Sequence, residues 1–518
     1  MALGANSRTL SGCLSEMASA FGEDLAVVDA LGEVTFAELF ARSSRLADRL
    51  RKLGVGRGAR VGLLAGNEIS WLEVMFGTHL AGATLVPLST WSTTSELEFL
   101  VEDSAIEILF AVSEFSGRDF SADLVSFAQE GLKIVLLAAH PSPEFVGYDD
   151  FLGDADAAEY GNAAMPEDDA LVLYTSGSTS IPKGVRLPHF AVTENGFNIG
   201  ERQGLKRQDK VFLPAPLFWA YGGANALPAT LTHGGTLVLQ EKFDAEDALD
   251  AIERNRCTAI YTLPAMTNAL VRHSRFAPDR VASLRTGLTI GSEEEFLFAA
   301  EKLGVPQLCN IYGATETCGN CAVTWHHWPL ERRATTQGTM LPGQELRIRD
   351  LQTGEIIPSD RPGLLEVKGY TTPGYSGKSA ELNDQAFTSD GFYRTGDIGF
   401  LDPEGALVFV GRHSEMIKRA GINVSPAEIE AVLFRYIGIS EAVVVGVPDE
   451  QRGEKIVAFV VPENEATFEI RKLSEHLRAS LSKYKLPDRI ELRNSLPLTQ
   501  TGKLHRNQIR ADAMELFA

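Results

Sequence analysis

The chain is poor in cysteine, in net positive charge and in long apolar runs, and each shortage removes a class of function. Five cysteines in 518 residues (Cys13, Cys257, Cys309, Cys318, Cys321) are too few for a disulfide framework, which fits a reducing compartment. Cys318 and Cys321 form a C-x-x-C, but no second pair and no H-x-x-x-H completes a four-ligand zinc site. Both read as unpaired structural thiols. Lys and Arg number 48 against 69 Asp and Glu, a formal charge of −21 with no basic cluster, which argues against a nucleic-acid partner. An anionic small substrate would need local backbone N–H groups, one or two cations and a metal ion. No uninterrupted apolar run could cross a bilayer, so a soluble protein without membrane association is expected. The first residues lack a basic stretch followed by an apolar one, and the terminal MELFA is no retention or peroxisomal address; a cytoplasmic location is expected.

What is present is an α/β rhythm. Hydrophobic residues at 44% and charged residues at 23% are ordinary for a globular protein, and the length calls for at least two domains. RVGLLAG, NEISWLEVMFGTHLAG and ATLVPL, between residues 59 and 88, read as strand, helix and strand, and short β-branched runs follow at 106–112 and 132–138. The rhythm returns from Val211 to Tyr312, with strands at 237–239, 258–263, 284–290 and 307–313. Two similar α/β layers, each a mostly parallel sheet covered by helices, are predicted. After Gly338, short strands punctuated by Gly and Pro predict a small β-barrel or distorted sheet. From His413 onward, helix, strands and helix alternate as in a compact α+β domain, which divides the chain into 1–412 and 413–518.

Four segments carry chemistry. LVLYTSGSTSIPKG (171–184) runs an apolar strand into Thr, Ser and Gly and then Pro-Lys-Gly. Small hydroxylated residues let backbone N–H groups approach phosphate oxygens, and Lys183 adds a movable positive charge. A Walker A loop needs Gly-Lys-Ser/Thr, whereas Lys183 stands between Pro182 and Gly184, so that reading fails on spacing. NIYGATE (310–316) puts an aromatic, a hydroxyl and a carboxylate at a strand's C-terminal end, where α/β folds hold ligands, and Glu316 could bind Mg2+. YRTGD (393–397) holds Asp397 in a tight turn suited to accept both ribose hydroxyls. LPLTQTGK (496–503) carries Lys503 in a Gly-containing loop, whose functional reading depends on the other three.

Together with GRHSEMIKRAG (411–421), these motifs occur in the order and approximate separation of the adenylate-forming, AMP-binding superfamily, which includes acyl- and aryl-CoA synthetases, peptide-synthetase adenylation domains and luciferases. The resemblance spans nearly the whole chain. It implies that Thr175, Ser176, Gly177, Ser178, Thr179 and Lys183 line the ATP phosphates. By the same resemblance Gly291, Ser292, Glu293 and Gly313 belong to the nucleotide site, Tyr312 packs on adenine and Thr315 contacts the α-phosphate. Glu316 binds Mg2+, and Asp397 with Arg412 holds the ribose. Lys503, Glu316 and Thr175 form the implied catalytic set. Arg419 and Gly421 would lie on the coenzyme A path, and Ser414 at the hinge of a mobile C-terminal domain. Two positions depart from the family pattern: Ser180 replaces the usual Gly, and Ser414-Glu415 replace the usual Asp at the hinge.

The implied reaction is Mg-ATP-dependent activation of a carboxylic acid and transfer of the acyl group to coenzyme A. Acyl specificity is expected in PLFWAYGG (216–223) and after Glu316. The first segment lacks both the Asp typical of amino-acid-selecting domains and the paired histidines of luciferases. Phe218, Trp219, Ala220, Tyr221 and Gly222 instead resemble the wall of benzoate-type ligases, with Gly313 and Gly319 completing the pocket. Gly319 falls where many such ligases carry His, which hints at room for a ring substituent. The alternatives are an enzyme that loads a carrier-protein thiol, a medium-chain acyl-CoA synthetase, and a non-catalytic nucleotide-binding protein, against which Lys503, Glu316 and Asp397 together speak. A monomer or homodimer is expected.

Overall fold

The computed structural model describes residues 7–137, 145–155, 162–175, 182–419, 422–449, 452–464, 466, 468–498 and 504–517. The two predicted α/β layers are sheets of nine and eight strands. In the nine-stranded sheet the strands Gln307–Tyr312, Thr286–Thr289, Ala259–Tyr261, Lys210–Leu213, Thr236–Leu239 and Leu25–Val28 run parallel. Antiparallel strands close both of its edges. The eight-stranded sheet centres on Thr84–Pro87 and Arg60–Leu64 and carries toward one edge the antiparallel pair Asp169–Thr175 and Lys183–Pro188, followed by the edge strand Tyr375–Ser376.

Helix Ile69–Ala81 shows why the layers hold together. Every residue in it except Ser70 is buried, as expected of a helix apolar all round. Its Leu72, Met75 and Phe76 share one core with Leu85 and Leu171 of one sheet and Leu213 and Leu237 of the other. Gly82, in the left-handed region at φ 90°, ends the helix. Helices Phe36–Lys52, Thr94–Ser104 and Glu293–Lys302 start in reciprocal caps, Thr35 with Glu38, Thr93 with Glu96 and Ser292 with Glu295.

The Gly- and Pro-punctuated stretch forms a five-stranded antiparallel sheet from Ile356–Ile357 to Leu407–Arg412. It is the open form of the two architectures anticipated; its two edge strands do not pair with each other. The C-terminal domain is α+β. Strand Ile439–Asp449 alternates its side chains between two small cores, Ala442 and Val444 in one, Val443 and Val445 in the other. All five cysteines are buried and unpaired. Among the described residues no helix is long and apolar enough to cross a membrane.

Candidate active site

Thr175 and Lys183, at the two ends of the Thr/Ser/Gly segment, are paired between antiparallel strands of the eight-stranded sheet. Ser176, Gly177, Ser178, Thr179 and Ser180 lie outside the described residues. Lys183 Nζ stands 5.3 Å from the ring centre of Tyr375, and the Tyr375 hydroxyl donates to Glu316 Oε1 at 3.0 Å. Tyr375 therefore joins the loop lysine to the acidic side chain. Burial and the neighbouring Glu316 carboxylate hold its phenol above the ordinary range, so it stays a donor. Glu316 sits in the 3-10 turn Thr315–Thr317 that follows strand Gln307–Tyr312, and its carbonyl accepts from Thr372 N at 2.7 Å. Among the described residues no three His, Cys, Asp or Glu side chains cluster around a common point. One carboxylate fits Mg2+ of the nucleotide-bound kind, which takes its remaining ligands from phosphate oxygens and water.

Asp397 owes its position to a bulge. The strand Gly363–Lys368 passes Leu364 opposite Ile398 and Glu366 opposite Arg394, so the register slips between them. Gly396, at φ 75°, takes the left-handed conformation that the slip requires. Thr395 Oγ donates to Leu365 O and accepts from Asp397 N. The Asp397 carboxylate is buried at 3% exposure, and its Oδ2 accepts from Tyr312 Oη at 2.7 Å. Arg412 Nε lies 3.0 Å from Oδ1, close enough to pair in charge, yet no aligned donor reaches that oxygen. A buried acceptor without a donor is uncommon. Burial raises the Asp397 pKa, with Arg412 and Tyr312 acting against the rise. The ring of Tyr312 lies beside Phe409, 5.8 Å between centres.

Gly291, Ser292 and Glu293 sit where strand Thr286–Thr289 passes into helix Glu293–Lys302. Ser292 Oγ accepts from Glu295 N and Ser292 N donates to Glu295 Oε2, so this hydroxyl is committed to the helix start. Gly291 is packed against the same carboxylate; a Cβ there would lie 2.6 Å from Glu295 Oε2.

The acyl segment folds into a π-helical turn, Ala220–Ala226, an unusual conformation frequent at functional sites. Its glycines are required by close backbone approach: a Cβ on Gly222 would lie 2.3 Å from Pro216 O, and one on Gly223 2.4 Å from Leu217 O. Asn67 holds the preceding stretch, donating to Ala215 O and accepting from Leu217 N. Trp91 meets Phe218 and Trp219 edge to face at 5.4 and 5.1 Å. The Tyr221 hydroxyl is shared between the carbonyls of Leu288 and Thr262, which fixes its ring against Tyr261 at 5.2 Å. Gly313 and Gly319 are in contact, since a Cβ on Gly313 would meet Gly319 O at 2.2 Å.

In the C-terminal domain Ser414 is exposed on the 3-10 turn His413–Glu415. Arg419 is buried with both terminal nitrogens on Asp488, so its charge is directed inward in this arrangement. Gly421 and Lys503 lie outside the described residues. Sequence reasoning named Asp397, Arg412 and Tyr312 for one nucleotide site but not the bond from Tyr312 or the ion pair with Arg412 that meet on Asp397. It missed Tyr375, Phe409 and Trp91, for which the only local signal was an isolated aromatic in a loop or strand.

The sequence profile described as AMP-binding enzyme matches residues 14–376, and the profile of the AMP-binding enzyme C-terminal domain matches residues 428–503. The chain belongs to the AMP-binding enzyme family. This AMP-binding enzyme is 32% identical to an indoleacetate–CoA ligase of Aromatoleum aromaticum, over 92% of the chain and 93% of that protein. It is 29% identical to the mitochondrial medium-chain acyl-CoA ligase ACSF2 of Mus musculus, over 97% of the chain and 87% of that protein. The crystal structure of ATP-bound MatB from Rhodopseudomonas palustris superposes with a TM-score of 0.87 at 26% identity, covering 98% of this chain and all of MatB. The AMP-binding enzyme is an acid–thiol ligase that uses ATP and Mg2+ and forms coenzyme A thioesters.

Proposed function

We propose that this ligase activates an aromatic, benzoate-like carboxylic acid and transfers it to coenzyme A. The observation that carries the aromatic reading is the wall built by Trp91, Phe218, Trp219 and Tyr221. Two of these rings are fixed edge-on and Tyr221 is tethered by its hydroxyl, which suits a flat guest. The indoleacetate relative supports that reading, and ACSF2 supports the aliphatic alternative.

A carboxylate oxygen attacks the α-phosphorus of ATP; the P–O bond to the β-phosphate breaks, and pyrophosphate leaves from an acyl adenylate. The hydroxyls and N–H groups of Thr175 to Thr179, with Lys183, bind the phosphates, and Thr315 meets the α-phosphate. Asp397 and Arg412 hold the ribose, and Tyr312 lies against the base. Mg2+ on Glu316 supplies neutralisation of phosphate charge. Lys503 brings its amine between carboxylate and α-phosphate, where a preorganised donor contributes on the order of 3 to 4 kcal/mol to the barrier. In the second step a thiol sulfur attacks the acyl carbon and AMP leaves with the electron pair. We place the domain boundary at 412/413, because Leu407–Arg412 belongs to the five-stranded sheet and Ile417–Arg419 to the C-terminal one, with Ser414 on the turn between them.

Pyrophosphate release over a panel of benzoates, phenylacetates, cinnamates and fatty acids, followed by mass detection of the thioester, tests the proposal. Aryl acids are expected to be turned over with the higher kcat/KM. A response confined to aliphatic acids rejects the aromatic wall as the selector.

A further inference from the structure

Behind the aromatic wall a buried hydrogen-bond chain ends without an acceptor. Gln203 Nε2 donates to the carbonyl of Ile199 at 3.3 Å and to Tyr261 Oη at 2.8 Å. A carbonyl only accepts, so the first of these bonds fixes which end of the Gln203 amide is the NH2 group. Tyr261 Oη, accepting from Gln203, has one proton of its own and gives it to Asn225 Oδ1 at 3.0 Å. The Asn225 amide is thereby oriented, with Oδ1 toward Tyr261 and Nδ2 turned from it. Asn225 is fully buried in the π turn, and among the described residues Nδ2 meets no acceptor.

A second buried amide NH2 without an acceptor belongs to Asn320, whose backbone carbonyl accepts from Asn195 Nδ2 at 2.7 Å. Gly319 stands between the two. It precedes Asn320 in the chain, and a Cβ on it would lie 3.4 Å from Asn225 Cβ. With φ at 97°, this position favours glycine, so residue 319 sets no side chain against Asn225. The groups that orient the Asn225 amide, Gln203 and Tyr261, carry no charge. Buried donors are normally paired, and a pair left open beside a ligand wall matches an acceptor brought by the ligand.

We propose that Asn225 is a specificity-determining residue whose Nδ2, oriented by Gln203 and Tyr261, donates to a neutral oxygen acceptor at the distal end of the acyl substrate. The enzyme then selects acids bearing a hydroxyl, ether or carbonyl oxygen there over the same skeleton bearing hydrogen. This inference rests on the acyl-pocket reading above and deepens it.

The test is the ratio of kcat/KM for pyrophosphate release between paired acids that differ only in that oxygen, in an aryl and in an aliphatic series. In the wild-type enzyme the ratio should favour the oxygenated acid by on the order of 10- to 100-fold, the effect of one buried hydrogen bond left unpaired. Asn225→Leu should bring the ratio close to one. Asn225→Asp keeps the bond from Tyr261 and removes the donor, and should invert the preference toward acids that end in a donor; it also serves if the leucine variant does not fold. A wild-type ratio near one, as when buried water fills both amides, overturns the proposal, and so does a ratio unchanged in either folded variant. If only the aliphatic series is turned over, the aromatic reading fails, while the pairs within that series still decide for or against the donor.

Discussion

Asp397 is the side chain on which the proposed ribose contact depends. Burial lifts its pKa; Arg412 and Tyr312 oppose the rise, and the Glu415 and Glu316 charges add to it. A raised pKa means that the carboxyl gains its proton at a higher pH than an exposed aspartate does. The neutral acid is the poorer acceptor for two hydroxyls, so KM for ATP should climb as pH falls from neutral through the raised pKa. Asp397→Asn should have a high KM at every pH and no such climb; coincident pH profiles would remove Asp397 from the ribose. Tyr375 supplies a second residue-scale test. Tyr375→Phe keeps the ring under Lys183 and deletes the hydroxyl on Glu316. Losing one hydrogen bond to a charged group should raise the Mg2+ concentration for half-maximal adenylation by roughly 10-fold, read from a metal titration at saturating ATP.

At the scale of elements, the π turn Ala220–Ala226 is the piece most sensitive to an added atom. Gly222→Ala would drive a methyl to 2.3 Å from Pro216 O, where both partners are backbone and neither can swing aside. A cost of about 1 to 3 kcal/mol is expected, seen as a lower thermal midpoint together with a changed order of acid preference; an unaltered midpoint would show that the turn relaxes. The same turn marks where sequence reading stops. Strands such as Arg60–Leu64 and Lys210–Leu213 are legible because apolar runs bounded by Gly or charge signal buried parallel strands. The tight turn read for Thr-Gly-Asp is instead a bulge inside strand Tyr393–Leu401, because its register is set against Gly363–Lys368, which the local sequence does not show. The π turn is not legible, because its stability comes from folding back on Pro216 and Leu217 and from Asn67, far upstream in the chain. Tyr375 was equally hidden: its partner Glu316 is 59 residues away, and nothing local distinguishes it from any loop tyrosine. Arg419 read as a basic residue near the thiol path, and its pairing with Asp488 depends on a strand brought alongside only by folding.

For the whole molecule, the contacts between the large and the C-terminal domain include Arg435 with Glu294 at 3.0 Å, Arg272 with Glu463 at 3.6 Å, and Ser425 Oγ donating to Val410 O. Exposed ion pairs of this kind are each worth about 1 kcal/mol or less. Arg435→Glu should therefore lower the population of the present arrangement by about two- to five-fold, without shifting thermal unfolding. Distance distributions between one label on each domain would register the change, and raised ionic strength should mimic it in the unmodified protein; an unmoved distribution would show that other contacts decide the arrangement. Helix Ile69–Ala81 sets the complementary limit. Because its buried flanks bind both large sheets into one unit, an acid seated as proposed against the aromatic rings would keep its bearing on Thr175 and Lys183 whichever way the terminal domain turned. On the proposed reading, choice of guest would belong to the large domain alone, whereas Lys503, carried by the smaller body, would tie formation of the anhydride as well as entry of the acceptor to where that body stands.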